Sequence, residues 1–301
     1  MTTMVNTAQH HGGPRYANAG FTLIELVMVI IITGILAGVV APLIARPTAA
    51  FIAETRRGAM IDTAQTALDR ISREIRLAVP NSVRVDTTSK VVEFLRTMDG
   101  GRYRAQNTDK LDTTAPDASL DTIGNLTTCA QLDVSPLIPN CANGVGYCMV
   151  VGNLGPGTGS DAFNGDNIAP IQACTPGGAV SGDGSDHITL ASAMQFPQPS
   201  PNQRFQIVDT PITFLCDTSA GTLRRYEHYE IRANQADVDT DAELTSLPVN
   251  PAESALLAQD ISACQFSYDA AVTHLLTVSL TITRDNESIT LSKKIRVENQ
   301  P

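Results

Sequence analysis

The sequence has no G-x-S-x-G nucleophile elbow, no G-x-x-x-x-G-K-[ST] phosphate loop, no H-E-x-x-H zinc pair and no G-x-G-x-x-G dinucleotide fingerprint. Hydrolase, nucleotide-dependent and zinc-protease chemistries therefore have no foothold in it. No C-x-x-C pair is present, and no cysteine precedes Cys129, so zinc spacing is missing as well. Positive charge is scarce, with Lys+Arg 21 against Asp+Glu 31 and a net charge of −10. Nonspecific attraction to nucleic acid phosphates or anionic headgroups is thus unfavourable for the chain as a whole, and nucleic acid is not an expected partner. His187, His228 and His274 stand isolated; no catalytic residue is assigned and no enzyme activity is expected.

What is there is a chain of 301 residues that is 43% apolar, enough for one large or two small domains. Six cysteines, Cys129, Cys141, Cys148, Cys174, Cys216 and Cys264, are spread through segments rich in Gly, Asn and Asp. An even count in such loops favours disulfides in an oxidising compartment, periplasm or cell surface, over metal ligation; buried free thiols are the alternative.

From Leu26 to Ala45 the sequence LVMVIIITGILAGVVAPLIA runs twenty residues without a charge. At about 1.5 Å per residue this matches a hydrocarbon core of about 30 Å, so the segment can span a membrane. Glu25 stands at its entrance, where a carboxylate in or near hydrocarbon costs several kcal/mol unless paired. A secretory signal peptide needs a basic start, an apolar core of about seven to fifteen residues and a small-x-small cleavage site; this core is too long and Glu25 is out of place. A plain membrane anchor with a snorkelling Glu25 remains open on physical grounds. Within the span, Gly34 and Gly38 weaken their neighbours and Pro42 removes a backbone hydrogen bond, so a bend or local melting is expected there.

The hexapeptide Gly20-Phe21-Thr22-Leu23-Ile24-Glu25 followed by a long apolar helix resembles the prepilin signal of type IV pilins and type II secretion pseudopilins. The resemblance implies cleavage between Gly20 and Phe21 by an aspartic prepilin peptidase on the cytoplasmic side, N-methylation of Phe21 and retention of the helix. It also implies that Glu25 offsets the Phe21 amine of a neighbouring subunit inside the apolar bundle, a pairing that low dielectric strengthens. The leader of residues 1–20 carries Arg15, His10 and His11, while Arg46, Arg56 and Arg57 lie beyond the span. Orientation therefore comes from the resemblance: a single pass in the bacterial inner membrane with a periplasmic C-terminal head, then a pilus or pseudopilus. The partners implied are other major and minor pilins, the prepilin peptidase and the inner-membrane assembly platform.

The expected fold class is α+β. Residues 21–45 form the membrane-spanning and assembly helix, and residues 46–80 an amphipathic continuation. In the latter, Ala64, Leu68, Ile71, Ile75 and Ala78 recur at spacings of three and four between charged residues. A β-rich head over residues 81–301 should pack against it. Strands are expected at 82–85, 91–96 and 102–105, the last two joined by a turn at Met98, Asp99, Gly100 and Gly101. Residues 106–186 read as a long region of short strands and local disulfides. Further strands are expected at 187–191, 205–208, 212–216, 223–231, 265–268, 275–283 and 288–297, with Glu287 in the turn of a C-terminal hairpin.

The segments TFLCDTSAGTLRRYEHYEI, ACQFSYD and IRVENQP resemble the minor pilins of mannose-sensitive haemagglutinin pilus systems, and more loosely J-type pseudopilins and PilW-type minor pilins. That resemblance implies a Cys216–Cys264 bridge between adjacent head strands and a place in a tip or priming complex. The alternatives are a J-like pseudopilin of type II secretion, or a tip module that displays residues 106–186 to bind glycans or DNA. No cofactor is expected. Calcium is the one ion the acidic loops 181–186 and 237–241 could hold, but neither ends in the bidentate Glu of an EF-hand, and turn chemistry accounts for both. Arg224, Arg225, Tyr226 and Tyr229 combine cations with aromatics as a nucleic acid site would, yet in an alternating strand they read as a solvated face.

Overall fold

The computed structural model describes residues 20–106, 109–132, 143, 146–177, 184–270 and 272–297. Most of the leader, Cys141 and positions 181–183 of the first acidic loop lie outside them. The chain forms two units, one ending at Arg56 and the other beginning at Arg57. An N-terminal apolar helix is followed by a β-rich domain of antiparallel sheets, an α+β architecture consistent with a pilin-like fold.

Helix α1 runs from Leu23 to Ile75. It is continuous through Gly34, Gly38 and Pro42, so the local melting expected there does not occur. One proline withdraws one N–H and leaves the rest of the i→i−4 ladder in place. α1 also ends at Ile75, short of the expected continuation to residue 80. Leu77 N bonds to Glu74 O at 2.9 Å and Ala78 N to Ile75 O at 3.1 Å, i→i−3 bonds that tighten and close the last turn. Ala78 then bridges to Arg96 as the chain enters the sheet.

In the second unit, β1 (Arg84–Val85), β2 (Val91–Arg102), β3 (Asp117–Asp121), β4 (Cys148–Val151), β5 (Ile168–Thr175), β6 (His187–Met194), β7 (Arg204–Asp217), β8 (Thr222–Glu227) and β9 (Glu253–Gln259) build one nine-stranded sheet. Its spine is β7. On one side β2 pairs along it from Leu215 back to Arg204. On the other side the partners divide: β4 pairs with Phe205–Val208 and β8 with Thr213–Asp217. From that fork, β4-β5-β6-β3 extends one way and β8-β9 the other. A short helix α2 (Asp241–Thr245) precedes β9. β10 (Ile261–Asp269), β11 (Leu275–Arg284) and β12 (Glu287–Arg296) form a separate three-stranded antiparallel sheet.

The main core lies where α1 meets both sheets. Met60, Ala64, Ala67, Leu68, Ile71 and Ile75 pack with Val92, Phe94, Ile212 and Phe214 of the large sheet and with Phe266, Leu276, Val278, Leu280 and Ile282 of the small one. The alternation of β11 aims Leu276, Val278, Leu280 and Ile282 inward. Each large aliphatic or aromatic side chain so buried contributes about 1.5–3 kcal/mol.

Three expectations are corrected. Met98 to Gly101 do not turn; they lie inside β2, with Gly100 opposite Gln206 and Gly101 opposite Phe205. The glycines serve close approach: a Cβ on Gly101 would lie 2.9 Å from Cζ of Phe205, and one on Gly100 3.0 Å from its carbonyl oxygen. The strand expected at 102–105 is accordingly replaced by a single bridge, Tyr103 to Thr122. Glu287 opens β12, and the hairpin turn is Asp285-Asn286, both at positive φ (49° and 62°).

The region 106–186 supplies β3, β4 and β5, and with them a second core of Leu120, Met149, Val151, Ile171, Ile188, Phe196, Phe205 and Ile207. Cys129 joins Cys174 across it. Cys148 is disulfide-bonded too. Cys216 joins Cys264 with their Cα atoms 6.5 Å apart. These two do not sit on adjacent strands of one sheet: β7 and β10 belong to different sheets, and the bridge staples the sheets together.

Candidate functional site

Gly20, Phe21 and Thr22 precede the helix. Gly20 and Phe21 are exposed, and among the described residues nothing beyond its chain neighbours lies within 4 Å of where a Gly20 Cβ would be. Thr22 starts the helix: its carbonyl accepts from Glu25 N and Leu26 N, each at 3.1 Å, and its hydroxyl from Glu25 N at 3.3 Å. This N-cap satisfies amide groups that the first turn leaves orphaned. Glu25 therefore sits in the first turn of α1, where the positive end of the helix dipole favours a carboxylate.

Glu25 stands near the start of a 19-residue apolar span, Leu23–Ala41, none of it buried. Ile24, Ile30, Ile35 and Leu36 are among its exposed side chains. An uninterrupted apolar surface of this extent is stable only against lipid or other apolar helices.

The head brings together groups that the sequence left apart, for structural ends. Arg225 is not on a solvated face. It is buried, with Nε 2.6 Å from Glu74 of α1 and Nη2 2.8 Å from Glu227. Arg96 on β2 links Glu227 to Asp209, so a chain of alternating charges ties helix to sheet. The hydrogen bond from Arg225 holds the Glu227 carboxyl below its ordinary range. Tyr226 and Tyr229 are fully buried; Tyr229 donates to Glu93 at 2.9 Å, and Arg84 reaches the same carboxylate at 2.7 Å. Burial pushes Glu93 up, against the opposing pull of Arg84. The reason is position: β8 lies between β7 and β9 and under the end of α1. Only Arg224 points out, toward Ser254, so this cluster offers no surface for nucleic acid.

Among the described residues, His187 and His228 each face a carboxylate. His187 Nδ1 lies 2.8 Å from Asp121, His228 Nδ1 3.5 Å from Glu253, and Ser185 accepts from Arg104. In the acidic loops, the Asp186 and Asp241 carboxylates accept from protein donors. The Asp186 carboxylate takes Leu126 N at 2.6 Å and Gly177 N at 2.8 Å. Thr240 and Glu243 form a capping box that opens α2, and Asp241 accepts from Tyr226. Cys129, Cys174 and Asp186 come within metal-ligand range of one another, but the two sulfurs are joined in a disulfide and have no thiolate to give.

Sequence reasoning missed the Glu74–Arg225 clamp, α2 and β9. Signals existed for α2, whose T-D-A-E run has capping-box spacing; β9 has little alternation to show.

No curated protein and no solved structure matches the chain. Residues 15–41 match the family model of the prokaryotic N-terminal methylation motif. That motif stands on an exposed apolar helix, followed by a disulfide-containing β-rich domain, an arrangement consistent with type IV pilin-like and pseudopilin-like proteins.

Proposed function

We propose that the chain is a minor pilin of an MSHA-like type IV pilus, a structural subunit of the tip or priming complex. The observation that carries this reading is the run Gly20 to Glu25 at the head of α1, followed without a break by an exposed apolar span and then by a helix face built into a large head. Residues 1–20 are the leader. Prepilin peptidase cuts after Gly20, Phe21 is N-methylated, and the head faces the periplasm before the inner-membrane platform moves the subunit into the fibre. In the fibre, Glu25 meets the Phe21 amine of a neighbouring pilin.

The head segments that resemble the subunit called MshO support the MSHA assignment over a J-type pseudopilin. A head of this size, with a second core built from residues 106–186, is awkward to repeat along a shaft, which favours the tip.

The test is deletion of this chain, with sheared surface pilin and the secreted protein profile measured in one culture. Loss of pili with normal secretion supports the proposal, and intact pili with failed secretion moves the chain to type II secretion. Glu25→Ala should leave insertion and processing intact and reduce incorporation; wild-type incorporation would sink the charge pairing.

A further inference from the structure

The last strand, β12, has an open outer edge. In the order β10-β11-β12 it is terminal, whereas the outer edge of β10 is partly closed by Ile261 N to Gly221 O and Phe266 N to Ser89 O. Val297 N donates to His274 O, and Glu287 pairs with Arg284 across the two-residue turn. These fix the phase: odd residues of β12 bond to β11. Ser288, Thr290, Ser292, Lys294 and Arg296 therefore turn their N–H and C=O groups outward. Among the described residues nothing bonds to that edge.

Alongside the edge lies a stripe of α1 at i+4 spacing: Arg57, Ile61, Gln65 and Asp69. It is tied to β12 at both ends, Arg57 to Glu287 at 3.4 Å and Asp69 to Lys293 at 2.5 Å. The lengths agree, about 18 Å of helix beside about 20 Å of strand. Between the ties Ile61 is 43% exposed, and Ile289 and Leu291 are only partly buried. Oε2 of Glu287 is buried with no hydrogen-bond partner among the described residues.

The charges along this edge are polar in the chain direction. Asp285 and Glu287 stand at its start, and Lys293, Lys294 and Arg296 at its end. Two of the four lysines in the whole chain are here. Turned end for end, the strand is its own complement. In the antiparallel register centred on Thr290, Glu287 faces Lys293 and Ile289 faces Leu291, twice over by two-fold symmetry, and Thr290 faces itself. Shifting the centre to Leu291 or Ser292 instead sets Lys293 against Ile289 or Leu291, leaving an ammonium against an aliphatic side chain.

We propose that β12 is a self-pairing edge that joins two copies of this chain through their small sheets into one continuous six-stranded sheet. The ladder bonds come from the outward even residues. Each Glu287 carboxylate sits between its own Arg57 and the Lys293 of the second copy, which gives Oε2 a donor. Ile61, Ile289 and Leu291 of both copies are covered together. This surface lies in the head and is independent of the N-terminal segment and of the pilus reading.

The test uses the full chain in detergent micelles, followed by sedimentation equilibrium. The wild type should dimerise. Glu287→Lys alone sets lysine against lysine and Lys293→Glu alone sets glutamate against glutamate, so each should weaken dimerisation about tenfold or more. An equimolar mixture of the two variants restores both ion pairs and should dimerise nearly as the wild type does. Thr290→Pro, which removes an outward N–H that β11 does not use, should abolish pairing with the circular dichroism spectrum unchanged. A monomeric wild type, a dimer indifferent to these substitutions, or a mixture that fails to recover would overturn the proposal.

Discussion

One helix meets two environments. Between Leu26 and Ala41, after Glu25, α1 carries no charge on any side and none of it is buried. Between Met60 and Ile75, a single stripe of Met60, Ala64, Ala67, Leu68, Ile71 and Ile75 is buried while Arg70 and Arg73 face water. The first half has the composition of a segment whose solvent is lipid or other apolar helices, and the second that of a segment whose solvent is split between a β-sheet core and water. The backbone is the same; what differs is where each half can place its side chains at low free energy. It follows that the halves should fail separately.

The largest effect is expected in the packed half. Ile71 is fully buried against both sheets, so Ile71→Ala should lower the stability of the head by about 2–5 kcal/mol. Thermal unfolding should register this, while the share of chain recovered with membranes stays unchanged. The converse change is Ile31→Lys in the apolar half, which should make insertion less favourable by about 3 kcal/mol and shift the chain out of the membrane fraction. The unfolding temperature of the head should not move. If either substitution produced the other's phenotype, the division into two environments would be wrong.

Next in size is the clamp by which the packed half grips the sheet. Glu74→Ala strips Arg225, which is buried, of one of its two carboxylates, and should cost about 2–3 kcal/mol. Arg225 keeps Glu227, so the loss stays below that of a fully orphaned charge. A variant as stable as the wild type in urea unfolding would show that the clamp holds nothing.

The smallest effect is a pH slope. Glu227 titrates lower in the folded chain than its ordinary value of 4.5 because Arg225 hydrogen-bonds its charged form. Below 4.5 the unfolded chain binds the proton first, so the stability this group contributes is complete above that pH and is lost as pH falls through the folded value. Glu93 is shifted the other way by burial; its contribution is present at acid pH and declines as pH rises above 4.5. Glu227→Gln should therefore flatten the acid limb of the stability profile, and Glu93→Gln should steepen it. Equal slopes in all three proteins would contradict these assignments.

The two halves of α1 were legible to very different depths. Twenty uncharged residues after Glu25 announce a span with no knowledge of the head, and spacings of three and four announce the packed face as far as Ile75. Strands of strong alternation, such as LTVSLTIT in β11, were equally plain. Gly100-Gly101 was misread because glycine serves two purposes, and only the ring of Phe205, more than a hundred residues later, shows that close approach and not a turn required it here. Arg225 was misread for a related reason. Alternation identifies which residues share a face, but not that α1 would return Glu74 to cover that face. Cys216 and Cys264 lie in strands, as their surroundings suggested, yet which sheet each strand joins depends on pairings that local sequence does not carry.

The mass of the N-terminal peptide of the mature chain, extracted from membranes, tests whether α1 begins as a processed pilin terminus, as proposed. Processing after Gly20 yields a peptide beginning at Phe21 with its amine methylated, and the apolar span retained. A chain that keeps residues before Gly20, or one cut beyond the apolar span, would contradict it.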